Sequence, residues 1–342
     1  MQDFFENTAI GTLLQVIGSL GIFIFGMKIM SEGLQKLAGD GLRKLLKGMT
    51  SNRMLGILTG LGITVLIQSS SATTVMVVSF VNAGLLTLTE SFGVIMGANI
   101  GTTITAWLLA LFGFKMKINL FAIALIAIFF PFMFMKNEKM RNLSEFVLGF
   151  GILFIGLTFL KDAVPSPDES EWMNTLALTI ASFKFKYAAI ILFVFIGTLL
   201  TVIVQSSSAA TAITLALLSA GIIPFDLACA MVLGENIGTT ITANIAAMIG
   251  NVHAKRSARF HFLFNIFGVI WMLIVFIPFT GMIQKYTGIV YSSLTSSVGT
   301  GVIEGKDSVL NNIDLMSMAL FHTTFNLLNV LMLFFFVPYI SK

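Results

Sequence analysis

The chain has 342 residues, 56% of them hydrophobic and 11% charged, with a mean hydropathy of +0.95. Soluble domains carry roughly 25% charged residues, so the composition excludes an ordinary soluble protein and points to a polytopic membrane protein. A net charge of +4 with no basic run interleaved with aromatics excludes nucleic acid as a partner, and a single cysteine, Cys229, excludes an intrachain disulfide or a cysteine-based metal site.

In MQDFFENTAIGTLL, at the start of the chain, Asp3 and Glu6 stand where a signal peptide would be positive. No small-residue cleavage site follows, so 10–30 reads as a retained first span. The apolar stretches 10–30, 118–135, 260–282 and 315–340 all have the length of a helical span, and the short alternating runs of a membrane β-barrel are absent. The loop at 36–53 sets Lys36, Arg43, Lys44, Lys47 and Arg53 against Asp40 and is basic enough to stay in the cytoplasm. Residues 54–88 form two apolar arms of about 14–17 residues around QSSSATT at 68–74, each short of the roughly 20 that cross a bilayer. GANIGTTITA follows at 97–106, FKMKIN at 114–119, and KNEKMR, basic and read as cytoplasmic, at 136–141.

The second half repeats the first. GILFIGLTFLKD at 151–162 parallels GIFIFGMKIMSE at 21–32. Residues 205–250 align with 68–113 without a gap at a constant offset (205 − 68 = 137), and 19 of the 46 pairs are identical. They include QSSSAAT at 205–211 and GENIGTTITA at 234–243, and an ungapped match of polar residues inside apolar sequence marks a duplication. The loop at 161–186, by contrast, is acidic, with Asp162, Asp168, Glu169 and Glu171 against three lysines. HAKRSAR at 253–259 is basic, hence cytoplasmic. A smaller repeat, A-x-F-H-x-x-F-N, occurs at 258–265 and 319–326 and puts His261 with Asn265, and His322 with Asn326, on one helical face.

Equivalent loops of opposite charge lie on opposite faces of the membrane, so the two copies are expected to be inverted. The expected fold is an all-α polytopic membrane protein of two inverted repeats, 1–141 and 142–342, with about seven full spans and an additional C-terminal span at 315–340. Residues 54–88 and 187–225 each enter and leave on one side as re-entrant hairpins with QSSS at the tip, a form tolerated only where protein or water surrounds it. The N-terminus is placed outside and the C-terminus in the cytoplasm. The two lysines of FKMKIN fall outside in this scheme and do not fit the charge rule.

A serine after a helix break is a good N-cap, and the restarted helix offers free N–H groups and a partial positive charge to an anion. The carbonyls that end the preceding half-helix, with glutamine and hydroxyl oxygens, suit a hard cation. Two tips entering from opposite faces would meet near the midplane, as in inverted-repeat secondary transporters. The plainer reading is that the hydroxyls back-bond to helix carbonyls or join helices. Asn99 and Asn236 can offer carbonyl oxygens to a cation, with Thr102, Thr103, Thr239 and Thr240 completing the cage, whereas the glycines of both GxNIG segments read as close helix packing. Glu235, opposite Ala98 in the repeat, is read as a cation ligand, a proton acceptor or a lining group. Its alternative is a structural pair with an arginine such as Arg256. The histidines lack a carboxylate or third ligand nearby, so they are read as satisfied side chains bracing a broken helix rather than as a metal site.

Paired QSSS motifs, each followed by G-x-N-I-G-T and then A-x-x-H-x-x-F-N, resemble the type II sodium-dependent phosphate cotransporter family over roughly 15–335. The resemblance implies a plasma-membrane carrier, not an enzyme, that takes inorganic phosphate into the cell on the sodium gradient, with sodium as co-substrate and no cofactor. By position, Gln68, Ser69, Ser70 and Ser71 form one half of a phosphate site, and Gln205, Ser206, Ser207 and Ser208 the other. The sodium candidates are Gln68, Ser71, Thr73, Asn99, Thr102, Thr103, Gln205, Ser208, Thr211, Asn236, Thr239 and Thr240, with Thr73 and Thr211 just beyond each tip. Three departures stand out: KINLFAIALIA replaces the H-x-x-F-N element in the first repeat, the loop at 161–186 is short where animal members have a large glycosylated one, and no cytosolic helical domain follows, the mark of a short or shortened member. A homodimer is expected by analogy with other hairpin carriers. The competing readings are a carrier of another oxyanion or a carboxylate, an ion channel, and an intramembrane hydrolase pairing a serine with His261 or His322.

Overall fold

The structure, a computed structural model, describes residues 8–39, 52–113, 118–168, 170–182, 186–298 and 306–337. These residues form twelve α-helices and no strand. The first half holds α1 (Ala9–Ala38), α2 (Arg53–Ile67), α3 (Ser70–Asn82), α4 (Leu88–Leu108), α5 (Ile118–Phe129) and α6 (Glu138–Ala163). The second holds α7 (Glu171–Ala181), α8 (Lys186–Val204), α9 (Ser207–Ser219), α10 (Phe225–Ala247), α11 (Val252–Val298) and α12 (Lys306–Phe334). A π-helical turn, Leu109–Gly113, extends α4, and a 3₁₀ turn, Phe130–Phe134, follows α5. Six helices are long and apolar enough to cross a membrane: Ile10–Ala38, Leu88–Gly113, Glu138–Ala163, Lys186–Val204, Val252–Ser293 and Asn312–Phe334. Most of the basic loop at 36–53, the lysines of FKMKIN and Glu169 lie outside the described residues.

Local chemistry sets the boundaries. Thr87 and Glu90 form a reciprocal capping box that starts α4. Gly84 and Gly221, 137 residues apart, both end their helices at φ 73°, a left-handed conformation that glycine adopts without a Cβ clash. Two expectations from the apolar stretches change. Residues 118–135 do not form one span, because Pro131 lacks an N–H and crowds the preceding turn, so α5 stops at Phe129 after 12 residues. The stretch 260–282 belongs instead to a 47-residue helix that continues through Pro278, about 70 Å long at 1.5 Å per residue and well beyond a hydrocarbon core of about 30 Å.

Buried on nearly all sides, α4 and α10 form the centre of the molecule. α2 packs on α4, and α8 on α10, through glycine. A Cβ on Gly97 would lie 1.9 Å from the Ile57 carbonyl oxygen, and one on Gly234 1.9 Å from that of Val194. The packing role expected for these glycines is what the structure contains. α1 lies along α6 with reciprocal close approaches, Gly26 against the backbone of Leu153 and Gly156 against that of Phe23. The halves also interlock, α3 packing on α10 and α9 on α4, so each tip helix reaches the central helix of the other half.

Candidate functional site

Both QSSS segments break their helices in the same way. Gln68 and Gln205, each at φ 55°, are the only non-glycine residues with positive φ among the described residues. The left-handed turn stops the first helix, and the next residue caps the second: Ser69 Oγ accepts from Ala72 N at 3.1 Å, and Ser206 Oγ from Ala209 N at 3.2 Å. The carbonyl end of α2 is held from outside, where Ser31 of α1 donates to Ile67 O at 2.7 Å. α3 and α9 therefore begin within the protein with N–H groups free for a ligand.

The two glutamines differ in surroundings. Gln68 is buried, donates from Nε2 to Val65 O at 2.6 Å and accepts at Oε1 from Thr105 at 3.0 Å. Gln205 is exposed, and it lines a small cavity of about 60 Å³ with Thr201, Thr239, Thr242 and Ser71. One tip's serine and the other tip's glutamine therefore face a single space, large enough for several waters or a small oxyanion. Two hydroxyls here are buried with no partner, Ser70 Oγ and Thr201 Oγ1, the second on the cavity wall. Buried polar atoms are nearly always paired, so the orphan Thr201 hydroxyl on the cavity wall marks a place for a ligand or water.

Beyond the tips, the candidates divide. Thr73 donates to Ser69 O at 2.9 Å and accepts from Thr64 at 3.1 Å. Thr102, Thr103, Thr239 and Thr240 all donate to carbonyls of their own helix, and Asn99 donates from Nδ2 to Ile95 O at 2.9 Å. Back-bonding is therefore present, as the plainer reading expected. It uses donor hydrogens and leaves oxygen lone pairs for a cation. Of these residues only Thr239 reaches the cavity wall. Ser207 and Ser208 are buried in the first turn of α9.

Glu235 is 1% exposed and is held by two hydroxyls, Thr211 Oγ1 to Oε2 at 2.6 Å and Thr214 Oγ1 to Oε1 at 2.7 Å. The pairing with Arg256 is not formed; among the described ion pairs none includes Glu235. Its neutral cage binds α9 to α10 just beyond the tip. The histidines also differ from expectation. Both sit within unbroken helices, and neither is fully satisfied: both nitrogens of His261 and Nδ1 of His322 are buried without a partner. The asparagines four residues on turn their Nδ2 to the histidine carbonyls, at 2.9 and 3.0 Å, and leave the rings alone. His322 Nε2 lies 3.4 Å from Asn236 Oδ1, and neither ring bonds a serine, so the serine–histidine pair of a hydrolase is not assembled.

Sequence reasoning passed over Thr64, Thr201, Thr105, Thr242 and Thr214. Four of these form two more pairs at the same offset (201 − 64 = 137; 242 − 105 = 137), so the repeat carried the signal that would have found them. It also sets Thr211 opposite Thr74 rather than Thr73.

Twelve helices among the described residues, six of them fit to cross a bilayer, around paired polar helix breaks define an integral membrane protein. The family model described as Na+/Pi-cotransporter matches residues 22–162 and 176–302, one QSSS segment in each stretch, and the chain belongs to that family. It is 28% identical over 274 residues, 80% of this chain and 49% of the other, to a Salmonella typhimurium protein provisionally named as the inorganic phosphate export protein YjbB. It is 31% identical to YqeW of Bacillus subtilis over 77% of this chain and 82% of that one. With human sodium-dependent phosphate transport protein 2B it shares 40% identity over 110 residues, 32% of this chain and 16% of the other. The chain thus spans about half the length of the YjbB proteins it matches. No solved structure matches.

Proposed function

We propose that the chain is a secondary transporter that carries inorganic phosphate with sodium into the cell, holding both between the two QSSS breaks near the bilayer midplane. The observation that carries this reading is the shared cavity, where Ser71 of one break faces Gln205 of the other. The two arms around each break are α2 with α3 and α8 with α9, and we read them as re-entrant hairpins of inverted repeats. α8, at 19 residues, has span length rather than the short arm expected of a hairpin. α10 also has span length at 23 residues, although Asp226, Glu235, Asn236 and its threonines dilute its apolar character, so with α8 read as a hairpin arm the spans number six rather than seven. A plasma-membrane homodimer, N-terminus outside and C-terminus in the cytoplasm, belongs to the same reading.

The electrostatics favour a coupled carrier. Apart from Glu235, the candidate residues are neutral oxygens and N–H groups, and a buried phosphate dianion without counter-charge is heavily penalised. Sodium ions at the carbonyl ends and hydroxyls supply that charge, so each ligand makes the other's burial tolerable, and their binding is reciprocal. Uptake of labelled phosphate by reconstituted vesicles, with and without an inward sodium gradient, tests the reading. Gln68→Ala and Gln205→Ala are expected to abolish gradient-driven uptake at normal protein levels; uptake indifferent to sodium would refute it. The export named for the Salmonella relative supports a second reading, outward movement. Phosphate lost from preloaded, oriented vesicles against an inward sodium gradient would distinguish it.

A further inference from the structure

A second, larger space adjoins the tip cavity. A groove of about 580 Å³ runs between the C-terminal half of α10 and the start of α11, with Ile241, Asn244, Ile245, Lys255, Arg259 and Phe262 among its walls. Lys255 and Arg259 stand one turn apart on α11, both exposed, and no described ion pair includes either. Asn244 braces the groove by donating from Nδ2 to Thr240 O at 2.9 Å and to Ala258 O at 3.4 Å, which ties α10 to α11 one residue before Arg259. Ile241 and Ile245, one turn apart on α10, line both the groove and the cavity that holds Ser71, Gln205 and Thr239. The two spaces are back to back across the same pair of side chains.

We propose that this groove is a cytoplasm-facing vestibule in which Lys255 and Arg259 hold inorganic phosphate on the inner side of the tip cavity, with Ile241 and Ile245 at the boundary between the two spaces. The proposal rests on the reading of the chain as a phosphate carrier. Unneutralised cations in a cleft with apolar walls focus their field and raise the local concentration of anions. The arginine fork matches two phosphate oxygens, while the lysine acts as a point charge. Ile241 and Ile245 give the boundary between the two spaces an apolar face, which disfavours a hydrated anion there.

Thiol protection tests this without transport. Cys229 is buried, so Lys255→Cys provides an accessible thiol in the full chain, reconstituted in phosphatidylcholine vesicles. In choline buffer, millimolar inorganic phosphate is expected to slow its reaction with an anionic methanethiosulfonate several-fold, and the protection is expected to vanish when Arg259→Gln is added. With phosphate presented to the face that carries residues 253–259, read above as cytoplasmic, Lys255→Gln with Arg259→Gln is expected to raise the half-saturating phosphate concentration about three- to tenfold, and that for sodium by much less. A thiol reaction indifferent to phosphate would overturn the proposal. So would protection that appears only with phosphatidylglycerol in the vesicle, which would assign the groove to a lipid headgroup. Protection by phosphate in a chain that carries none would count against the carrier reading and leave the site standing.

Discussion

Replacing each tip glutamine by glycine separates what its backbone costs from what its side chain holds. A left-handed backbone disfavours a residue with a Cβ by roughly 1–2 kcal/mol, and glycine removes that cost. Glycine's freedom in the unfolded chain takes back about 0.5–1 kcal/mol. The side chain of Gln205 is exposed and has no hydrogen bond among the described residues, so Gln205→Gly is expected to lie between neutral and about 1 kcal/mol more stable than the parent. Gln68 is 8% exposed and loses two hydrogen bonds, to Val65 at 2.6 Å and from Thr105 at 3.0 Å. At about 1 kcal/mol each, these place Gln68→Gly about 1–2 kcal/mol below the parent. The two variants should therefore differ by about 2 kcal/mol, a few degrees in unfolding midpoint. Thermal unfolding of the purified protein in detergent, followed by tryptophan fluorescence, measures the gap. Equal midpoints, or a larger fall for Gln205→Gly, would refute the account of the Gln68 side chain as held by two hydrogen bonds and of the Gln205 side chain as unheld.

Three further outcomes are expected. Gly234→Ala sets a Cβ against the Val194 carbonyl at 1.9 Å and should sharply reduce the yield of folded protein, measured by size-exclusion chromatography, whereas Gly84→Ala, in open space, should cost only about 1 kcal/mol for its left-handed backbone. Ser31→Ala leaves the Ile67 carbonyl without its 2.7 Å donor and should lower stability by about 1–2 kcal/mol in the same unfolding assay. Glu235→Gln keeps the shape of the cage but removes its charge; phosphate uptake should then require several-fold more sodium while the phosphate half-saturation moves less, and equal shifts in both would argue for a purely structural carboxylate.

Much of this was legible in the sequence because it is local. The polar QSSS run between apolar arms marks the helix breaks, serine after the break marks the cap, and the 137-residue offset pairs Gln68 with Gln205 and Gly97 with Gly234. What was not legible depends on packing. Nothing in α3 or α9 announces that each leans on the other half's central helix, and the partners of Glu235, Thr211 and Thr214, lie on a different helix from the carboxylate. The length of α11 was underestimated because loss of hydropathy after 282 ends an apolar stretch without ending a helix. The histidines were expected to be satisfied, yet their i+4 asparagines choose backbone carbonyls over the rings, a choice that sequence spacing does not encode.

The central claim is that phosphate and sodium occupy one largely neutral site and that each depends on the other. Equilibrium binding of labelled phosphate to the purified chain, in sodium and in choline at equal ionic strength, measures it without vectorial transport. The account predicts at least tenfold tighter binding in sodium, about 1.4 kcal/mol of coupling. Equal affinity in the two buffers would contradict it.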